Sequence, residues 1–216
     1  MTVIGHAPRA LAADITATAQ TYDDPELHYT QNNRISILGG AGTIANVSKT
    51  TTTDGATPQS TAADGGILFD FGRSKWGFQT GLMYLNVPAV ITATAPDGTN
   101  ETTTTNLGYL GLPLLLRYNY IEHPMAVFSV KGGVMPAYIV TPETTYGFGD
   151  PQDPNYAQVD IKTTDVMVLA GFTGTGPITP DVGFLIDATV FYGMIPIDGI
   201  ARNEGVLLSA GFTFGL

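Results

Sequence analysis

The sequence contains no cysteine, so a disulfide framework, a zinc-thiolate centre and a thiol nucleophile are all unavailable to it. Nowhere does it hold a run approaching the roughly 20 apolar residues that a membrane-spanning helix needs. That excludes a helical membrane protein and leaves open one built from strands. Basic residues are few: nine Lys and Arg against 19 Asp and Glu give a formal net charge of -10. Phosphate backbones are held chiefly by clustered cations, so no nucleic-acid partner is expected. Charged residues of all kinds make up only 13% of the chain, while 26 glycines and clustered threonines bring its composition close to membrane-barrel and all-β proteins. With 216 residues the chain has length for one ordinary domain rather than two well-buried ones.

From Arg34 onward the sequence alternates with period two, and helical periodicity is nowhere sustained. Eight segments emerge, at about 34–48, 61–72, 76–91, 105–121, 125–140, 161–173, 181–195 and 205–216. Most exceed the roughly 9 to 11 tilted residues with which a strand crosses a bilayer core. Their connections alternate in length. Gly72 to Lys75, Ile121 to Pro124 and Gly174 to Pro180 are short, whereas Lys49 to Ser60, Thr92 to Thr104, Thr141 to Asp160 and Pro196 to Glu204 are long and rich in Thr, Gly, Pro, Asp and Asn. Outer-membrane barrels keep short turns on the periplasmic side and longer loops outside.

Parity carries the next argument. In the last segment Val206, Leu208, Ala210, Phe212, Phe214 and Leu216 alternate with Leu207, Ser209, Gly211, Thr213 and Gly215; the seventh sets Val182, Phe184, Ile186 and Val190 against Gly183, Leu185, Asp187 and Thr189. One face suits lipid and the other a crowded or polar interior. Aromatic residues of the lipid parity gather near strand ends, with Phe71, Trp76, Phe78, Tyr118, Tyr120, Phe172, Phe212 and Phe214 toward the short turns and Tyr84, Tyr138 and Tyr192 toward the long loops. Two such girdles are what amphipathic rings at bilayer interfaces produce. The expected fold is therefore all-β, an eight-stranded antiparallel up-and-down transmembrane β-barrel over residues 34–216. Residues 1–33 lack strand periodicity and include Asp23-Asp24-Pro25-Glu26. They read either as a periplasmic arm that plugs the barrel or holds an envelope partner, or as a leader remnant. Ala10-Leu11-Ala12 before Ala13-Asp14 has the small-residue end of an export signal without the apolar core before it.

Tyr109-Leu110-Gly111-Leu112-Pro113-Leu114-Leu115-Leu116-Arg117-Tyr118 resembles the central strand of the small outer-membrane β-barrel domain family, whose architecture is that of the OmpA and OmpX barrels. The closing stretch Leu208 to Leu216 resembles the C-terminal signal read by the barrel-assembly machinery. Phe212 and Phe214 hold the alternate aromatic positions, and Leu216 departs from the usual aromatic end. The resemblance implies outer-membrane lipid and that machinery as partners, and it carries little information on activity.

No constellation for catalysis emerges. His6 and His28 fall in the N-terminal segment and His123 in a short turn, none beside a nucleophilic hydroxyl at the outer leaflet, so no enzyme is expected. Gly39-Gly40-Ala41-Gly42 lies inside a strand pattern, where glycine marks close backbone approach or a bend and not a phosphate cradle; no cofactor is expected. Asp150, Asp153 and Asn155 offer oxygen ligands, but Pro151 and Pro154 break the spacing of a calcium loop, and a solvated acidic loop is the expectation. Asn100-Glu101-Thr102 matches the glycosylation triplet, read as without consequence in a bacterial protein.

Six charges within strands, Arg34, Asp70, Arg117, Lys131, Asp165 and Asp187, share the inward parity and sum to zero. A cation facing lipid near the midplane costs ~2 to 4 kcal/mol, so the interior is the cheaper place for them, and there each needs a partner. Counting from the short turns sets Arg34 beside Asp70, brings Lys131 close to Asp165 and Asp187, and leaves Arg117 between the two groups. Leu68, Met83, Leu115, Met167, Leu169, Leu185 and Phe191 on the same parity fill the lumen. A structural or interaction barrel follows as the first reading. A small-solute channel and a soluble lipocalin-like carrier, which would reverse the parity, are the alternatives.

Overall fold

In the computed structural model the described residues are 33–47, 59–72, 75–94, 100–123, 125–140, 145–148, 157–160, 162–196 and 202–216. They form eleven strands: β1 (Arg34–Val47), β2 (Gln59–Phe71), β3 (Trp76–Thr94), β4 (Asn100–Gly111), β5 (Leu114–His123), β6 (Ala126–Ile139), β7 (Thr145–Phe148), β8 (Ala157–Asp160), β9 (Thr164–Pro177), β10 (Val182–Gly193) and β11 (Arg202–Gly215). Neighbouring staves pair antiparallel, β4 and β5 each between β3 and β6, and β1 pairs with β11 over its whole length, from Arg34 opposite Gly215 to Val47 opposite Arg202. The sheet is thus a closed eight-staved barrel in which β4 and β5 together make the fourth stave. Closure removes every free edge, the condition for strands to cross a bilayer.

The fourth segment is where the strand reading needs correction. Residues 105–121 form two strands because Pro113 has no N–H to give to a ladder. The seam holds through the break, since the Leu112 N–H donates to the Pro136 carbonyl at 3.0 Å. Boundaries shift elsewhere too. β3 and β4 run into the Thr-rich stretch read as a loop, pairing from Val87 opposite Leu107 to Thr94 opposite Asn100; β-branched threonine suits an extended strand as well as it suits a loop. The long connection after β6 carries its own hairpin, β7 with β8. Strand β9 continues four residues past its expected end at 173, and the turn shrinks to Ile178 to Asp181, closed by Ile178 and Thr179 N–H groups on the Val182 carbonyl. Gly174 and Gly176, read as turn residues, are glycines for another reason. The Phe128 and Phe184 rings of the neighbouring strands pack beside them, and a Cβ on Gly176 would stand 2.5 Å from the Phe184 ring.

Burial alternates along the staves as the parity requires. Ile37, Ile67, Leu82, Leu116, Val134, Phe172, Ile186, Leu208 and Phe212 are exposed on the wall, while Leu38, Leu68, Leu85, Leu107, Leu115, Met135, Met167, Leu169, Leu185, Phe191 and Leu207 are packed inside. An apolar outer wall and a filled interior are the arrangement lipid demands, opposite to that of a soluble carrier barrel. The aromatic residues assigned to the two girdles all lie on the outer wall, with Tyr118 half-buried against Trp76 at a ring separation of 4.8 Å. Gly40 and Gly42 do mark close approach: a Cβ would meet the Leu208 carbonyl at 2.2 Å and the Val206 carbonyl at 1.9 Å across the β1–β11 seam.

Candidate functional site

The lumen is where this chain concentrates its buried polar chemistry. Its turn-side half holds a belt to which every stave contributes: Ser36 on β1, Asp64 and Asp70 on β2, Gln79 on β3, Arg117 on β5, Lys131 on β6, Thr173 on β9, Asp187 and Thr189 on β10, and Ser209 on β11. Strand periodicity aims all of these side chains at one space, and the narrow bore of eight strands brings them within reach.

Two ion pairs anchor the belt. Lys131 Nζ lies 2.6 Å from Asp187 Oδ2, and both side chains are almost wholly buried. The same carboxylate accepts from Thr173 Oγ1 at 2.7 Å and Thr189 Oγ1 at 2.5 Å, so its lone pairs are well used. Arg117 Nη1 lies 3.0 Å from Asp70 Oδ1, which also accepts from Gln79 Nε2 at 3.0 Å, while Ser36 Oγ donates to Oδ2 at 3.4 Å. Arg34 is buried directly across from Asp70 in the β1–β2 register. Arg117 stands opposite Lys131 on the β5–β6 seam, where the two pairs adjoin. Two cations side by side would repel, and each is instead drawn over the lumen to its own carboxylate.

The expected approach of Lys131 to Asp165 does not occur. Lys131 is in register with Gly171, and Asp165 lies six residues farther up β9, about 20 Å away along a strand. The cause is the length of β9: parity gives a face, whereas height depends on where the strand ends, and β9 ends at Pro177. Asp165 instead sits at the loop end of the lumen, where its Oδ1 accepts from the Val166 N–H at 2.7 Å and the Ile195 N–H at 3.0 Å.

Its place near Lys131 is taken by Asp64, which sequence reasoning missed. Asp64 has the same parity as Asp70 on the same strand, and that signal alone would have found it. Ser209 Oγ donates to its Oδ2 at 2.7 Å, and both Lys131 and Asp187 are within electrostatic reach. With Asp64 included, the strand charges in the lumen are three cations and four carboxylates, no longer balanced.

A second missed residue is Tyr109, buried at the loop end. Asn203 Nδ2 donates to its hydroxyl at 2.8 Å. The two come from β4 and β11, which face each other halfway round the barrel, so their bond is a strut across the bore. Between strut and belt lie the packed side chains of Leu85, Met135, Met167, Leu169, Phe191 and Leu207. At the turn end Asn119 closes a small network, donating to Glu122 and accepting from Ser129 Oγ at 2.7 Å. Among the described residues no group of His, Cys, Asp and Glu is arranged to hold a metal. The expectations for residues 1–32, including His6 and His28, and for Asp150, Asp153 and Asn155 lie outside the described residues. Phe212, Phe214 and Leu216 are exposed on the outer wall at the foot of β11.

Residues 28–199 match the family model described as outer membrane protein beta-barrel domain. Among solved structures the chain is similar to Neisserial surface protein A, with 10% identity, 84% of this chain and 97% of that one covered, and a TM-score of 0.50. It is also similar to the attachment invasion locus protein Ail of Yersinia pestis, with 14% identity, coverage of 85% and 99%, and a TM-score of 0.44. The outer membrane protein OprG of Pseudomonas aeruginosa matches with 13% identity, coverage of 86% and 97%, and a TM-score of 0.45. No curated protein sequence matches it. At these identities the likeness is one of fold.

Proposed function

Because the chain belongs to the outer membrane protein β-barrel domain family, and so resides in the bacterial outer membrane, we propose that it serves there as a non-catalytic structural or interaction barrel and not as a conduit. The observation that carries this reading is the strut from Tyr109 to Asn203 across the bore, backed by a continuous apolar packing layer and the charged belt beneath it. A solute would have to break buried hydrogen bonds and ion pairs in turn to pass. The long connections face outward as the contact surface, and outer-membrane lipid covers the apolar wall. The Phe212, Phe214 and Leu216 edge is the part offered to the barrel-assembly machinery, and residues 1–33 are the part proposed to meet an envelope partner. Reconstitution in a planar bilayer is the test: no steady conductance is expected, and large, stable steps would favour the small-solute channel.

A further inference from the structure

A cleft of about 480 Å³ opens on the outer wall near the loop end, across β1, β11, β10 and β9. Side-chain length creates it. Thr43, Val206, Val190 and Ala170 lie side by side in one row over these four strands, all short and all facing outward. One step toward the turns, Leu208 and Phe172 stand out strongly from the wall, with the small Ala188 in register between them. One step toward the loops come Glu204, Tyr192 and Val168. The depression is therefore bounded above by a phenol ring and a carboxylate, and below it has a gap at Ala188.

The rim of the cleft carries a cation. Arg202, one step nearer the loops than Glu204 on β11, reaches back to Tyr192: its Nη1 donates to the phenolic oxygen at 3.0 Å, and its guanidinium carbon lies 5.8 Å from the ring centroid. That contact uses one N–H of a fork that holds several more, and among the described residues Arg202 forms no ion pair. Tyr192 belongs to the girdle at the bilayer interface, so the guanidinium stands at headgroup height while the row of short side chains beneath it faces acyl chains. Water does not fill an apolar hollow at that depth, and an empty one forfeits dispersion contacts. We propose that this cleft binds one phosphorylated, acylated lipid of the outer leaflet, with an acyl chain lying over Ala170 and Ala188 and the phosphate on the Arg202 guanidinium. A planar fork of donors matches phosphate oxygens. Glu204 repels a phosphate lowered into the cleft, which keeps the anion above it, and its carboxylate accepts from a hydroxyl or amide N–H of the same headgroup. The proposal rests on the wall facing outer-membrane lipid and not on the lumen being closed to solutes.

The test uses the purified chain refolded in detergent, with folding checked by the shift of the folded band on unheated gels, and native mass spectrometry to count the lipids retained. Diphosphorylated lipid A is the probe, and the same lipid stripped of its phosphates is the comparison. The unaltered chain should retain one lipid A and hold the stripped lipid about tenfold less well, the worth of one charge-assisted contact. Arg202→Gln should lower lipid A retention by the same factor and abolish the difference between the two lipids. Ala170→Phe, which fills the cleft from the outer wall, should lower retention of both, while Ala210→Phe, on the same wall nearer the turns, should leave both unchanged. Equal lipid A retention by the unaltered chain, Arg202→Gln and Ala170→Phe would mean that lipid coats the wall without a site, and would overturn the proposal. Equal retention of the two lipids by the unaltered chain, a comparison that needs no variant to fold, would overturn it as well. Conductance is measured separately on the same preparation: a conducting barrel that retains lipid A in the expected pattern would refute the sealed lumen and uphold the lipid site.

Discussion

Removing the Lys131 ammonium tests the belt most directly. Its Nζ is 2.6 Å from Asp187 Oδ2, and both side chains are shut away from water. Lys131→Ala therefore leaves the Asp187 charge buried, with Asp64 in electrostatic reach and no cation between them. Breaking a buried pair by deleting one partner costs about 3 to 5 kcal/mol. Thr173 and Thr189 still donate to the stranded carboxylate, which holds the expected loss near the lower bound, about 3 kcal/mol. Urea unfolding in detergent micelles, followed by tryptophan emission, measures it, with exposed Lys75→Ala as the reference, expected within about 0.5 kcal/mol of the parent. The double variant Lys131→Met with Asp187→Leu removes both charges and keeps apolar volume. It should recover most of the loss, since a well-packed apolar pair is often as stable as the ion pair it replaces. A Lys131→Ala loss no larger than that of Lys75→Ala, or a double-variant loss equal to the sum of the single ones, would refute the reasoning.

Other expectations follow from the same geometry. Gly211→Ala puts a Cβ 2.0 Å from the Ile37 carbonyl on the seam that closes the barrel, so the folded, heat-modifiable band should fall sharply, whereas Gly39→Ala, whose Cβ has 3.6 Å of room, should leave it unchanged. Phe212→Ala with Phe214→Ala should lower the fraction assembled in the outer membrane of cells more than it lowers refolding in detergent, because those rings sit on the exposed foot of β11. Protease added to intact cells should cut between Thr141 and Asp160 before it cuts between Ile121 and Pro124; the reverse order would turn the barrel over.

The stave count, the faces and the closing of the barrel were legible in the sequence because each rests on local signals: period-two alternation, turn residues and strand length. Height was not. Asp165 shows why, since its distance from Lys131 depends on whether Gly174 to Pro177 belongs to a turn or to a strand, and the same glycines serve both. Their pairing with β6 and β10 settles it, and that is a fact of the neighbouring strands. Asp64 was legible by parity, being two residues from Ala62 and four from Leu68 on the inward face. The strut was not, because nothing local to Tyr109 indicates that its partner stands 94 residues away on the opposite wall.

The belt bears on how such a barrel comes to exist. Its cross-lumen contacts all skip a stave: Asp70 reaches Arg117 over β3, Lys131 reaches Asp187 over β9, and Ser209 reaches Asp64 over β1. A lone hairpin therefore cannot satisfy any of them, and a sheet still open between β1 and β11 lacks the contact of Ser209 with Asp64. The pairing of β1 with β11 that closes the barrel is also what brings Ser209 to Asp64.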